Sequence, residues 1–236
     1  LLKKLKKKYY NSNFYKEWYI DKEIQTKLLK ISAQSAVERL VMRIGQVVYG
    51  ALIIKIGTTA YAAHNIAGNI ETFSYMPAIG FAVAASTLVG QNLGAEKPEE
   101  AKQVGLLSNL LATIFMVIVG LIYYIFAPQL AGIFTKDAEV ILQVTKVLRI
   151  IALFQPFLSI TLVITSALQG AGDTKFPMYS TFIGIWGIRV IGTYVLGIVL
   201  ELGLVGVWLS YAFDIFIRSI LLMVRFLKGR WMKIKI

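Results

Sequence analysis

Residues 104–128 read VGLLSNLLATIFMVIVGLIYYIFAP and contain no charged side chain over 25 consecutive positions. The hydrocarbon core of a bilayer is about 30 Å thick, and a helix of roughly 20 apolar residues crosses it. Residues 150–172 form a second stretch without charge. Five or six long apolar stretches divide the 236-residue chain, which predicts an all-α integral membrane protein.

The composition excludes several classes of function. Hydrophobic residues make up 57% of the chain and charged residues 16%, whereas soluble domains hold about 45–50% and 25%. Cysteine is absent, so disulfides and thiolate metal sites are excluded. With His64 as the only histidine, we expect no zinc or haem site, no cofactor and no nucleophile–histidine–acid arrangement, and therefore no enzyme.

The apolar stretches predict a six-helix transmembrane bundle over residues 32–227. Pro98, followed by two glutamates, suits the first turn of a helix, and Asp137 suits an N-cap. A short loop is expected over 128–139. The six predicted spans are 32–56, 61–90, 103–127, 138–168, 177–200 and 204–227.

The net charge of +12 is concentrated beside apolar spans, which indicates a bilayer rather than nucleic acid as the partner. With residues 1–31 placed in the cytoplasm, 17 of the 25 Lys and Arg residues fall on the cytoplasmic side and two outside. The bias predicts cytoplasmic chain ends in the plasma or inner membrane. Residues 1–31 are then a basic linker, either with an interfacial helix or disordered, and 228–236 a basic tail.

Three segments resemble one transporter family. They are TTAYAAHNIAGNIETFSYMPAIGFAVAASTLVGQNLGAEKPEEAK (58–102), SALQGAGDTKFPMY (166–179) and GLVGVWLSYAFDIFIRSILLMVRFLKGRW (203–231). In this order they are similar to the C-terminal half of multidrug and toxic compound extrusion (MATE) transporters. The resemblance covers about residues 32–231.

The resemblance implies a twelve-helix antiporter built from two six-helix bundles around a central cavity, of which this chain is the second. It implies that Na⁺ or H⁺ entry drives export of organic, often cationic, compounds. The partners implied are the N-terminal six-helix half of the same protein, a small organic substrate and the lipid bilayer. Because the sequence begins at Leu1, we expect a fragment whose N-terminal part is missing.

The resemblance also bears on ion coupling. Some members of the family carry an acid where this chain has Met42, and another in their tenth helix, near the position of Leu158 in LFQPFLS. Since both acids are missing here, the resemblance implies that the coupling ion is bound mainly by the N-terminal half.

Polar residues within the spans are the candidate functional residues, because each needs a partner in hydrocarbon. Asp214 and Arg218, spaced i,i+4, predict a structural ion pair. Glu38 is either a cavity carboxylate or a counter-ion for Arg39 and Arg43. Arg189 needs an acid, a carbonyl or water, and Glu71 is its candidate partner by elimination. The candidates for the substrate cavity are Gln34, Glu38, Met42, Gln46, Asn69, Glu71, Gln155 and Arg189.

Three functions fit these observations. The first is secondary active export of organic cations, with a broad specificity arising from aromatic and methionine surface. The second is a flippase for a lipid-linked or anionic amphipathic substrate, which Arg39, Arg43 and Arg189 would favour. The third is a half-length membrane scaffold that dimerises. A neutral or acidic, aromatic cavity would weigh against the flippase.

Overall fold

The computed structural model describes residues 22–234, and this part of the chain is helical with no strand. Its fifth helix begins as an α-helix and continues as two π-helical segments, Ile183–Val190 and Thr193–Val199. A 3₁₀ turn, Arg230–Lys233, follows the last helix. The long helices in this range are α1 Lys22–Ile56, α2 Thr58–Gly94, α3 Pro98–Phe134, α4 Ala138–Gly170, α5 Lys175–Val199 and α6 Gly203–Leu227.

Five of these helices, α2 to α6, are long and apolar enough to cross a membrane, as judged over the described residues. Helix α1 has 35 residues and is therefore about 52 Å long. It is less apolar because it carries Glu38, Arg39 and Arg43. The all-helical class and the six-helix arrangement predicted from the sequence are confirmed. The predicted linker 1–31 lies outside the described residues up to position 21, and from Lys22 the chain is already helical.

The connections between helices are short. The Asp137 carboxylate accepts hydrogen bonds from the backbone N–H groups of Glu139 (2.9 Å) and Val140 (3.3 Å), which confirms the predicted N-cap of α4. Pro98 begins α3, as expected. The predicted loop 128–139 is wrong, because α3 continues through Pro128 to Phe134 with Ala127 and Ala131 buried against the bundle.

Small residues hold α2, α3 and α4 together. They recur on the buried faces at spacings of three to four positions, which lets helix backbones approach closely. A Cβ at Gly120 would stand 2.7 Å from the Ala152 carbonyl oxygen, so α3 and α4 are in backbone contact there. The alanines and glycine of this α2–α3–α4 interface are Ala60, Ala63, Ala67, Ala78, Ala82, Ala85, Ala112, Gly120, Ala127 and Ala131.

Close contacts hold both ends of helix α6 in place. Gly206, in its first turn, lies so close to α5 that a Cβ would meet the Leu196 carbonyl oxygen at 2.5 Å. After its last turn, the Trp231 ring is fully buried and stacks on Phe226 at 4.8 Å. The Trp231 indole N–H donates to the Phe226 carbonyl oxygen at 2.8 Å, so the chain after α6 caps the helix that precedes it.

Candidate functional site

A cavity of about 480 Å³ opens between α1, α2, α5 and α6. Its volume is in the range of sites that hold drug-sized ligands. The wall combines aromatic rings with two arginines and one carboxylate. The lining residues are Arg43, Gln46, Tyr49, His64, Gly68, Glu71, Thr72, Tyr75, Met76, Ile79, Arg189, Trp208 and Tyr211.

The helical repeat puts the lining residues of each helix on one face, toward the cavity. On α1, Arg43, Gln46 and Tyr49 follow one another at intervals of three residues and share one face. On α2 the lining residues run from His64 to Ile79 as single residues or adjacent pairs that recur every three to four positions, again on one face. The opposite side of α2 carries the alanines that pack on α4, so a single helix serves both the cavity and the packed interface.

The wall is continuous aromatic surface on one side. The Tyr49 and His64 rings have centroids 5.4 Å apart, those of His64 and Trp208 are 5.7 Å apart, and those of Trp208 and Tyr211 are 5.6 Å apart. These tilted and edge-on pairs match the geometry that aromatic quadrupoles prefer. Such a surface offers contact to flat apolar groups and to cations.

Glu71 supplies the carboxylate of the cavity. It is 7% exposed, and the Tyr211 hydroxyl donates to its Oε1 at 2.8 Å. The Tyr75 and Tyr211 hydroxyl oxygens are 3.5 Å apart, which extends the network along the wall. This donor is a neutral hydroxyl. Among the described residues, no lysine or arginine forms a direct ion pair with the Glu71 carboxylate.

Asp214 forms a second acidic centre, behind the wall. It is fully buried, and its Oδ2 accepts from Nε of Arg189 at 2.9 Å and from Nη2 of Arg218 at 3.0 Å. The structure therefore contains the Asp214–Arg218 pair and adds Arg189 to it. Glu71 as the partner of Arg189 is wrong, because the π-helical turns of α5 direct Arg189 toward α6, where Asp214 lies.

Glu38 lies away from the cavity. Its carboxylate accepts from the Gln169 amide at 2.8 Å and from the Thr181 hydroxyl at 3.0 Å, which joins α1 to α4 and α5. Arg43, five positions along α1 and about 140° around the helix, faces the cavity and donates to Gln46 at 3.0 Å. Glu38 therefore does not line this cavity, while electrostatic attraction to Arg218 and Arg39 accompanies its two hydrogen bonds.

The structure thus brings together three of the predicted cavity residues, Gln46, Glu71 and Arg189. Asn69 is exposed outside this cavity, Met42 is half-buried without lining it, and Gln155 is fully buried between helices. The amide atoms of Gln155 have no hydrogen-bond partner among the described residues. The side chain of Gln34 lies outside the described part of the chain.

Sequence reasoning missed the aromatic part of the wall. Tyr49 and Tyr75 lie three and four positions from Gln46 and Glu71, so the spacing of predicted polar residues could have revealed them. Trp208 and Tyr211 show the same three-residue interval on α6, but an aromatic residue in a span is equally common at packed faces. Within residues 22–234, no group of three His, Asp or Glu side chains is placed to hold a metal ion.

Comparison with known proteins identifies the family. The family model described as MatE matches residues 35–195. A probable multidrug resistance protein NorM of Thermotoga maritima is 38% identical over 218 residues, 92% of this chain and 46% of the relative. An uncharacterized transporter, YisQ of Bacillus subtilis, is 28% identical over 92% of this chain and 48% of its own length. The chain thus spans about half the length of the curated relatives it matches.

Solved structures share the fold. The MATE transporter ClbM in complex with Rb⁺ superposes with a TM-score of 0.82 at 25% identity, over 89% of this chain and 50% of ClbM. The Vibrio cholerae MATE transporter VcmN in its bent form gives a TM-score of 0.83 at 17% identity, over 97% of this chain and 51% of VcmN. These relatives are membrane transporters rather than enzymes. The chain belongs to the MatE family of multidrug efflux transporters and corresponds to about one half of its full-length members.

Proposed function

We propose that this chain forms the C-terminal lobe of a secondary active antiporter that exports organic cations in exchange for Na⁺ or H⁺. The observation that carries the proposal is the position of Glu71, a buried carboxylate at the edge of an aromatic cavity, with a tyrosine hydroxyl as its described donor. A buried carboxylate without an ion pair is costly unless a cation approaches it, and an organic cation would supply that charge.

The wall also suits broad specificity. Aromatic faces bind flat apolar groups without fixed hydrogen bonds, and Met76 contributes a flexible, polarisable side chain. A cationic dye or drug would place its charge near Glu71 and its rings against Tyr75 and Met76. The affinity would then depend more on charge and area than on any one polar group.

Coupling to an ion gradient requires the other half of the transporter. The positions corresponding to the coupling acids of some family members are Met42 and Leu158, which do not bind cations. We therefore place the Na⁺ or H⁺ site mainly in the N-terminal six-helix half, the partner of this lobe across the central cavity. Rocking of the two halves would alternate access to the substrate, as in other transporters built from repeats.

A flippase acting on an anionic amphipathic substrate is the second candidate, because Arg43 and Arg189 line the cavity. Arg189 is paired with Asp214, so Arg43 is the wall arginine without a described acid partner. The lining holds two arginines and one carboxylate, a formal charge of +1 that supports this alternative, whereas the aromatic rings and Glu71 support a cation. We rank the cation first because Asp214 holds Arg189, while Glu71 has no ion pair among the described residues. Transport of a fluorescent anionic lipid, with no transport of cationic dyes, would reverse this order.

The proposed orientation places the ends of the chain in the cytoplasm of the plasma or inner membrane. The supporting observation is that Lys97, Lys102, Lys175 and Lys228 lie at the same end of the bundle, where α2, α4 and α6 end. Labelling of single cysteines introduced at Lys97 and Lys136 in intact cells would test it. We expect a membrane-impermeant maleimide to modify position 136 alone.

The function is tested by dye transport in energised membrane vesicles containing the intact protein. We expect ethidium to be moved against its gradient while a Na⁺ or H⁺ gradient is maintained. An ionophore that collapses the gradient should abolish the movement. Equal dye retention in vesicles with and without the protein would contradict the proposal.

A further inference from the structure

Arg189 occupies part of the surface that a cationic substrate would use. Its guanidinium carbon lies 4.2 Å from the centroid of the Tyr211 ring and 6.0 Å from that of Tyr49. Both distances fall within the range of cation–π attraction, and the nearer one is a close stacking contact. The side chain is 10% exposed and lines the cavity, so its charged group is part of the wall.

Neutralisation of Asp214 does not by itself explain why Arg189 is there. Arg218 already lies 3.0 Å from the same Oδ2 atom, on the same helix as the acid. Asp214 and Arg218 do not line the cavity, whereas Arg189 does. Arg189 therefore connects the buried pair to the aromatic wall, since its head donates to Asp214 and its guanidinium carbon lies over the Tyr211 ring.

The same tyrosine connects Arg189 to Glu71. The Tyr211 hydroxyl donates to Glu71 Oε1 at 2.8 Å, so the guanidinium, the ring and the carboxylate follow one another along the wall. A cation that approaches Glu71 reaches the edge of a ring whose face is already covered. It gains full contact with Tyr211 only after Arg189 moves off this face of the ring while keeping its hydrogen bonds to Asp214.

We propose that Arg189 is a tethered competitor: a cation of the protein itself that occupies the Tyr211 face and must be displaced by a cationic substrate. This inference rests on the proposed function, in which the cavity binds organic cations. It assigns Arg189 a role in specificity rather than in direct binding. Flat aromatic cations, which offer more stacking area than a guanidinium, displace it, whereas small tetraalkylammonium ions do not.

The position of Arg189 in α5 supports such a movement. Arg189 lies in the π-helical segment Ile183–Val190, and π-helical turns within α-helices are frequent at functional sites. After Arg189 withdraws, its head group still has the Asp214 carboxylate, so no buried charge is left without a partner.

The test is equilibrium binding of ethidium to the purified intact protein in detergent. Removing the tethered cation with Arg189→Gln leaves the Asp214–Arg218 pair in place. The loss of a competing cation–π contact is expected to tighten the Kd about five- to thirtyfold. The matched control is Arg43→Gln, which removes the same charge from the same cavity; Arg43 donates to Gln46. It should tighten the Kd by no more than about threefold.

Two further measurements complete the test. Arg189→Lys keeps the positive charge but not the planar head, so it should tighten the Kd less than Arg189→Gln does. Tetraethylammonium should compete with ethidium more strongly in Arg189→Gln than in wild type. If Arg189→Gln does not fold, Arg189→Met, which keeps the side-chain length, replaces it. Failure of both to fold shows that Arg189 is structural and overturns the inference.

The outcomes separate this inference from the proposed function. Equal tightening in Arg189→Gln and Arg43→Gln overturns the tethered competitor, because a general charge effect then suffices, while the proposed function stands. Absence of ethidium binding in wild type and in all variants overturns the proposed function itself. A selective gain in Arg189→Gln supports both.

Discussion

The two sides of helix α2 differ in how they use buried space. One side packs alanines against α3 and α4, where helix backbones touch and polar groups are few. The other side faces a cavity whose wall carries Glu71 and, across it, Arg189 on a π-helical turn. In helix α2, one face therefore provides close packing against the bundle, and the other face lines the cavity.

The largest expected effect is the loss of stability in Asp214→Asn. This change leaves Arg189 and Arg218 buried without their acid, at a cost of about 3–5 kcal/mol in unfolding free energy. Thermal unfolding in detergent measures it. The matched control is Glu71→Gln, which removes a buried carboxylate without a described ion pair and should cost less than about 1.5 kcal/mol. Equal losses of unfolding free energy in the two variants would show that Asp214 and Glu71 contribute alike to stability.

The packed side is tested by Gly120→Ala. The new Cβ would stand 2.7 Å from the Ala152 carbonyl oxygen, so α3 and α4 must separate, at a cost of about 1–3 kcal/mol. Gly132→Ala is the control, because the same helix leaves open space at that position. A Tm for Gly120→Ala equal to that of Gly132→Ala would mean that this interface is more compliant than its geometry indicates.

The cavity side is tested by transport rather than stability. Glu71→Gln preserves the size of the side chain and its ability to accept from Tyr211, but it removes the charge offered to a cation. We expect at least a tenfold loss of ethidium export, which corresponds to about 1.4 kcal/mol. Glu38→Gln is the control, since Glu38 bonds to Gln169 and Thr181 outside the cavity. A greater loss in Glu38→Gln would move the functional carboxylate to that site.

The smallest expected effect concerns the start of α4. Asp137→Ala removes the acceptor for the N–H groups of Glu139 and Val140, a loss of about 1 kcal/mol. Lys136→Ala, at the preceding position, should change the Tm by less than half as much. A larger change of Tm in Lys136→Ala than in Asp137→Ala would contradict the assignment of Asp137 as the N-cap.

Much of the fold could be predicted from local sequence. Apolar length identified five spans directly, and Pro98 and Asp137 marked helix starts, because these signals act within one turn. The end of α3 could not be predicted in this way. Pro128 suggested a loop, but a proline removes a single backbone donor, and packing of Ala131 keeps the last turns helical.

The site was predicted only in part, for a geometric reason. Gln46 and Glu71 were found because a polar side chain in an apolar span is conspicuous. The pairing of Arg189 with Asp214 crosses two helices and 25 positions, and the π-helical turns shift Arg189 from where a regular α-helix would direct it. Elimination of the other acids therefore gave Arg189 the wrong partner, because Asp214 had been assigned to Arg218 alone.

The segment that follows α6 has a practical consequence for protein engineering. Because the Trp231 ring is buried on Phe226, a truncation before position 231 would uncover the Phe226 ring and remove one of the hydrogen bonds that its carbonyl oxygen accepts. Crystallisation variants and reporter fusions should therefore retain this tryptophan. Its intrinsic fluorescence, isolated by replacing the other tryptophans, would then report fraying of the helix end during thermal melts.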